Sequence, residues 1–229
     1  MAVPRVEFPL ILVNLKTYKE ATGELAVRLS KTAEEVSTRT GVCVAVAPQV
    51  VDLRMVAGTA QIPVFAQHID PVGYGKHTGH VLPEAAAGAG CSGTLINHSE
   101  RRLKLEDIGA TVMRAKEAGL LQVVCVDTVE MARAVAPLGP DAIAIEPPEL
   151  IGTGTPVSKA RPEVVSGAVD AVHRIDPEIE VLCGAGITNG EDAAAALRLG
   201  ARGVLVASGV VKAGDHHRAL LELAEAVRL

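Results

Sequence analysis

Eight short apolar runs alternate with stretches of helical periodicity along this chain, and that alternation restricts the fold before any single residue does. The runs are Leu10 to Leu15, Val42 to Ala47, Val64 to Gln67, Gly93 to Asn97, Val123 to Val126, Ala142 to Glu146, Val181 to Cys183 and Gly203 to Val206. Between them the periodicity predicts helices over Glu24 to Ser37, Pro83 to Ala89, Glu106 to Ala118, Glu130 to Ala136, Pro162 to Ile175 and Glu191 to Leu199, with Asp215 to Arg228 closing the chain. Gly90, Gly119, Gly139 and Gly200 stand where a helix has to stop. Strands that alternate with helices pair in parallel, because parallel neighbours need crossover connections. Eight such units predict an α/β fold closed into a (β/α)8 barrel, and a doubly wound open sheet is the alternative that periodicity leaves standing. No Pro, Gly or Ser-rich linker interrupts residues 1–229, so one domain is expected.

Composition agrees with a parallel sheet. Aromatic residues are only 2% and Trp is absent, so the core has to be built from Val, Leu, Ile and Ala, which suits strands covered on the outside by Ala-rich helices. No apolar stretch approaches the roughly 20 residues of a bilayer span. Met1 to Pro9 lacks the basic start and apolar run of a signal peptide. A cytoplasmic protein without a membrane partner is the expectation. Twenty-two Lys and Arg against 27 Asp and Glu leave a net charge of −5 with no basic run, which predicts no nucleic-acid partner. Cys43, Cys91, Cys125 and Cys183 form no C-x-x-C pair, so neither a zinc site nor a disulfide framework is expected. In Tyr74 to His80 a nucleotide loop fails because His77, not Ser or Thr, follows Lys76, and His77 and His80 lack a third ligand nearby. No metal and no cofactor is predicted.

Barrels of this kind place their chemistry at the C-terminal ends of the strands. The first run ends in Asn14-Leu15-Lys16, the fourth in Asn97-His98-Ser99-Glu100 and the sixth in Glu146-Pro147. A lone lysine at a strand end is most simply a solvated charge, and a lone histidine a satisfied polar residue. A lysine, a histidine and a carboxylate at the same end of three strands together point to a functional site. Two further segments have the small residues that let backbone N–H groups approach an anion: Cys183-Gly184-Ala185-Gly186-Ile187, leading into a helix near Asn189, and Val206-Ala207-Ser208-Gly209. Loops after strands seven and eight commonly hold phosphate in such barrels. Glu146 to Thr155 begins with stiff prolines and ends in glycines, as a flap on two hinges or an ordinary long loop would.

Together these segments resemble the triosephosphate isomerase family, specifically its short archaeal branch, in five ordered matches along the whole chain. Asn14-Leu15-Lys16, Asn97-His98-Ser99-Glu100, Glu146-Pro147-Pro148-Glu149-Leu150-Ile151-Gly152-Thr153-Gly154, Cys183-Gly184-Ala185-Gly186-Ile187 and Leu205-Val206-Ala207-Ser208 carry the resemblance. Three departures separate the chain from the longer members: Asn97 in place of glycine, Pro148-Glu149-Leu150 in place of a tryptophan-containing flap, and Gly186 in place of a phosphate-binding serine. The chain is also shorter than the usual barrel of about 250 residues, so abbreviated outer helices are expected.

The resemblance implies a TIM barrel that interconverts dihydroxyacetone phosphate and D-glyceraldehyde 3-phosphate by proton transfer through an enediolate, in glycolysis and gluconeogenesis. It implies Glu146 as the base and Lys16 as a fixed positive charge. It makes His98 a neutral imidazole donor, kept so by a helix start at Ser99 and Glu100. Asn14 positions the substrate, and backbone amides around Ile151, Gly152, Gly186, Ala207 and Ser208 hold the phosphate. The flap comprises Pro147, Pro148, Gly152, Thr153 and Gly154. The Tyr74 to His80 loop is implied to insert Thr78 beside a partner subunit's site, making a homo-oligomer, a dimer or more readily a tetramer. Two rivals stand beside this reading: another phosphate-binding barrel acting on larger substrates, and a catalytically silent sugar-phosphate sensor.

Overall fold

A computed structural model describes residues 3–147 and 156–228. Its eight strands are β1 Leu10–Asn14, β2 Cys43–Ala47, β3 Phe65–Ala66, β4 Gly93–Ile96, β5 Leu121–Val126, β6 Ala142–Ile145, β7 Glu180–Gly184 and β8 Gly203–Val206. All pair in parallel in the order β2-β1-β8-β7-β6-β5-β4-β3. A single parallel bridge, Val46 to Val64, joins the two ends of that order and turns the sheet into a ring. The closed alternative is therefore the observed one.

The strand period of two sorts side chains to the two faces of the ring. Leu10, Leu12, Ala45, Ala47, Phe65, Leu95, Val123, Cys125, Ala142, Ala144, Leu182 and Leu205 form a compact inner cluster. Their neighbours Ile11, Val13, Val44, Val46, Ile143, Ile145, Val204 and Val206 face outward and join the larger cluster that the helices cover. Phe65 is the one aromatic ring in the inner set, and it fits because a side chain on Gly93 would run into it.

The covering helices are α1 Glu24–Thr40, α2 Leu53–Ala57, α3 Pro83–Ala89, α4 Leu105–Glu117, α5 Val129–Val135, α6 Val157–Ala160, α7 Pro162–His173, α8 Gly190–Arg198, α9 Ser208–Val211 and α10 His216–Val227. Abbreviation is real: α2 has 5 residues, and α3 and α5 have 7 each. α1 ends at Gly41, whose left-handed φ of 74° lets its N–H reach back to the Ser37 carbonyl. Among the described residues no helix is long and apolar enough to cross a membrane.

Candidate active site

The inward alternation does not stop at the end of each strand. Along β1 the inward positions Leu10 and Leu12 continue to Asn14 and then Lys16, and along β6 Ala142 and Ala144 continue to Glu146. Where the apolar layers end, the next inward positions are polar, so the barrel's period of two delivers those side chains to its mouth. A cavity of about 210 Å³ opens there, lined by Asn14, Lys16, His98 and Glu146 together with Gly186, Ala207 and Ser208. The sequence-predicted lysine, histidine and carboxylate thus share one cavity with both small-residue loops.

Glu146 is 6% exposed, and its Oε2 has no hydrogen-bond partner among the described residues. It lies 3.7 Å from His98 Nε2. That carboxylate oxygen is an unclaimed acceptor facing an imidazole across a gap too long for a hydrogen bond. On the far side of His98, Nδ1 accepts the Glu100 N–H at 3.2 Å. An Nδ1 that accepts this bond leaves Nε2 as the ring's donor, facing the carboxylate and the cavity. The expectation of a helix start at Ser99 and Glu100 is corrected here. Those residues form a turn closed by Arg101 N–H to the His98 carbonyl at 2.7 Å, and α4 begins only at Leu105. One backbone amide, not a helix end, fixes the tautomer.

Lys16 sits at φ 48°, a left-handed conformation that ordinary side chains avoid. Its neighbours hold it there: Asn14 Oδ1 accepts the Lys16 N–H at 3.0 Å, and Gln67 Nε2 donates to the Lys16 carbonyl at 3.0 Å and to the Ala47 carbonyl at 2.9 Å. The ammonium is aimed by Glu100, whose Oε1 lies 3.0 Å from Nζ. Asn97 is also left-handed at φ 60°, and it is buried. Its Nδ2 donates to the Cys125 carbonyl at 2.8 Å and its Oδ1 accepts the Leu103 N–H at 2.8 Å, which braces the segment that presents His98.

Two cysteines flank the carboxylate. Burial, then the neighbouring Glu146 charge, pushes the Cys125 thiol well above its ordinary value. Burial, with Glu146 and Asp192 adding to it, pushes the Cys183 thiol up to about 12. Both are inert packing at neutral pH.

At the other end of the cavity Ala185 and Gly186 take φ values of 70° and 73° in succession, turning their backbone toward the mouth. Ala207 and Ser208 open α9 beside them. Pro147 is described, whereas Pro148, Ile151, Gly152, Thr153 and Gly154 lie outside the described residues.

Sequence reasoning missed Gln67 and Tyr18, and it missed the parts that Glu100 and Gly184 play. Glu100 and Tyr18 line the cavity, and Gln67 reaches across two strands. Gly184 matters for what it lacks: a Cβ there would press on the Glu146 side chain, 2.7 Å from Oε1 and 2.9 Å from Cδ. Inward parity along β3 and β7 was the signal that could have found Gln67 and Gly184.

A family model described as triosephosphate isomerase matches residues 9–227. The triosephosphate isomerase of Methanocaldococcus jannaschii is 56% identical, covering 93% of this chain and 98% of its own. That of Methanothermus fervidus is 54% identical, covering 94% of this chain and 97% of its own. The solved triosephosphate isomerase of Bartonella henselae superposes with a TM-score of 0.76 at 22% identity, over 96% of this chain and 99% of its own, a likeness of fold.

Proposed function

The chain belongs to the triosephosphate isomerase family, and we propose that it interconverts dihydroxyacetone phosphate and D-glyceraldehyde 3-phosphate with Glu146 as the base. The roles are those the family itself exemplifies, carried onto the matching residues. The observation that carries the reading is the shared cavity: Glu146 Oε2 lies 3.7 Å from His98 Nε2, with Lys16 and both anion loops on the same walls.

Glu146 takes a proton from the carbon beside the carbonyl of dihydroxyacetone phosphate and returns it to the neighbouring carbon. Negative charge builds on the two oxygens of the enediolate as the proton leaves, and the barrier falls only if donors already point there. His98 Nε2–H supplies one, since its Nδ1 is occupied by the Glu100 N–H. The Lys16 ammonium, steered by Glu100, supplies positive charge, and Asn14 holds the backbone of Lys16. Backbone amides around Gly186, Ala207 and Ser208 take the phosphate, joined from the flap by Ile151 and Gly152. Closure of Pro147, Pro148, Gly152, Thr153 and Gly154 over the cavity keeps water from the enediolate, which otherwise expels phosphate. The proton transfer draws on these side chains alone.

We further read the chain as one domain working in the cytoplasm, in glycolysis and gluconeogenesis, as a homodimer or tetramer. The Tyr74 to His80 loop would offer Thr78 to a partner subunit, and Tyr74 is 81% exposed on it. A coupled assay with dihydroxyacetone phosphate tests the central claim. Wild type turns over rapidly, and Glu146→Gln, which keeps shape but cannot accept the proton, folds normally and loses at least about a thousandfold in kcat, in line with removal of a general base. Near-normal turnover by that variant ends the assignment.

A further inference from the structure

The two anion loops lean on a residue outside the cavity. Asp192, in the first turn of α8, is 2% exposed. Its Oδ2 accepts the Thr188 N–H at 3.1 Å and the Thr188 hydroxyl at 2.9 Å. Its own N–H donates to the capping Asn189 Oδ1 at 3.0 Å. The carboxylate therefore sits at the positive end of a helix with two donors on one oxygen, a favourable place for a buried charge. Helix capping alone would explain that much.

Thr188 is what extends it. The loop from Gly184 to Thr188 carries Ala185 at φ 70°, a conformation that costs an alanine about 1–2 kcal/mol. A strained turn holds its shape only if both ends are fixed, and β7 fixes one end while Asp192 fixes the other through Thr188. The second loop rests on the first. A Cβ on Gly209 would lie 3.0 Å from the Thr188 Cα and 3.0 Å from the Ile187 carbonyl oxygen, so α9 packs flush against the segment that Asp192 grips. Ser158 Oγ, on α6 just past the flap, donates to the Asp192 carbonyl at 3.2 Å. That last contact is to the main chain and is kept by any residue at 192, whereas the carboxylate grips Thr188 and, through it, the segment on which both loops rest.

We propose that Asp192 is a positioning residue that sets the spacing of the two phosphate loops. It touches no substrate and acts through Thr188. The inference rests on the phosphate reading of those loops given above.

The test separates binding of the phosphate from chemistry at the carbonyl. Wild type, Asp192→Ala, Asp192→Asn and Thr188→Val are compared for KM and kcat with dihydroxyacetone phosphate and for competitive inhibition by inorganic phosphate. Isomerisation of phosphate-free D-glyceraldehyde is followed by proton NMR. Asp192→Ala is expected to raise KM and weaken phosphate inhibition by at least about tenfold each, the factor that about 1.4 kcal/mol represents. Turnover of D-glyceraldehyde falls far less. Asp192→Asn keeps an acceptor and restores most of the affinity, and Thr188→Val, which leaves Asp192 in place, repeats the loss if the alanine variant does not fold. Unchanged KM and phosphate inhibition in folded variants overturn the proposal. So does an equal loss on both substrates, which marks general damage. If wild type itself neither turns over dihydroxyacetone phosphate nor is inhibited by phosphate, the functional reading fails first, a result distinct from either of those.

Discussion

Gly184→Ala adds one methyl group directly under the base. The new Cβ would stand 2.7 Å from Glu146 Oε1 and 2.9 Å from Cδ, and closer still to Cγ. Carbon atoms pack comfortably at about 3.5–4.0 Å, so the Glu146 side chain has to retreat by roughly 1 Å. It has somewhere to go, since the adjoining cavity holds about 210 Å³. The cost to folding therefore stays within the about 1–3 kcal/mol typical of an added methylene, too little to depopulate a domain stable by about 5 kcal/mol or more. The cost to catalysis is larger in proportion, because a misplacement of about 1 Å can take about a hundredfold from the rate, or about 2.7 kcal/mol in the barrier. The assay is kcat for dihydroxyacetone phosphate alongside a thermal melt, so that folded enzyme is counted separately from active enzyme. A kcat within about threefold of wild type, in protein that melts normally, refutes the claim that Gly184 is glycine to make room for Glu146.

Asn97→Gly keeps the left-handed turn but removes one buried and one part-buried hydrogen bond, so a loss of about 1–3 kcal/mol in denaturant unfolding is expected, with reduced kcat as His98 loosens. Asn97→Ala should lose about 1 kcal/mol more, because alanine resists the φ of 60°, and an alanine variant as stable as the glycine one contradicts this. Burial holds the His68 ring below its ordinary value, against the pull of Asp70, so folding favours the neutral ring. Its contribution is whole above about pH 6.5 and is lost as the pH falls, because the unfolded chain takes up the proton first. Urea midpoints of His68→Gln should fall less than wild type between about pH 6.5 and pH 5, and parallel profiles would contradict it. Burial also pushes the Cys91 thiol up to about 12 and raises Cys43, which is half-buried. A thiol reagent at about pH 8 should label at most Cys43 in the native protein and all four cysteines after unfolding; fast labelling of two or more native thiols contradicts this.

The apolar runs mark all eight strands to within two residues at each end, and the small shifts have local causes. β5 starts at Leu121, before the expected Val123, because Gln122 lies in the sheet, buried, with its N–H on Asp141. β3 shrinks to Phe65–Ala66 because its neighbour β2 joins it through one bridge only. α2, α6 and α9 have 4 or 5 residues each, too few for a helical period to repeat. Within the site, Lys16, His98 and Glu146 were visible because their residue types are unusual at strand ends. Glu100 and Gln67 were not, because each acts on a partner that only the closed ring brings near. Lys16 and Glu100 are 84 positions apart.

The ring closes between β2 and β3 through the single bridge of Val46 and Val64, where β1 and β2 share a register of five pairs. At that thin join Gln67 stretches from the end of β3 to the carbonyls of Ala47 and Lys16. One amide group is thus both the lacing of the barrel and the restraint that keeps Lys16 in its left-handed turn. Segments with few backbone bonds open locally well before a whole domain does. When this join parts, the rest of the wall stands, yet the lysine loses its brace and its charge drifts from the mouth. Warming should therefore loosen the lysine before it opens the core, with a glutamine at a seam as the first point to give way.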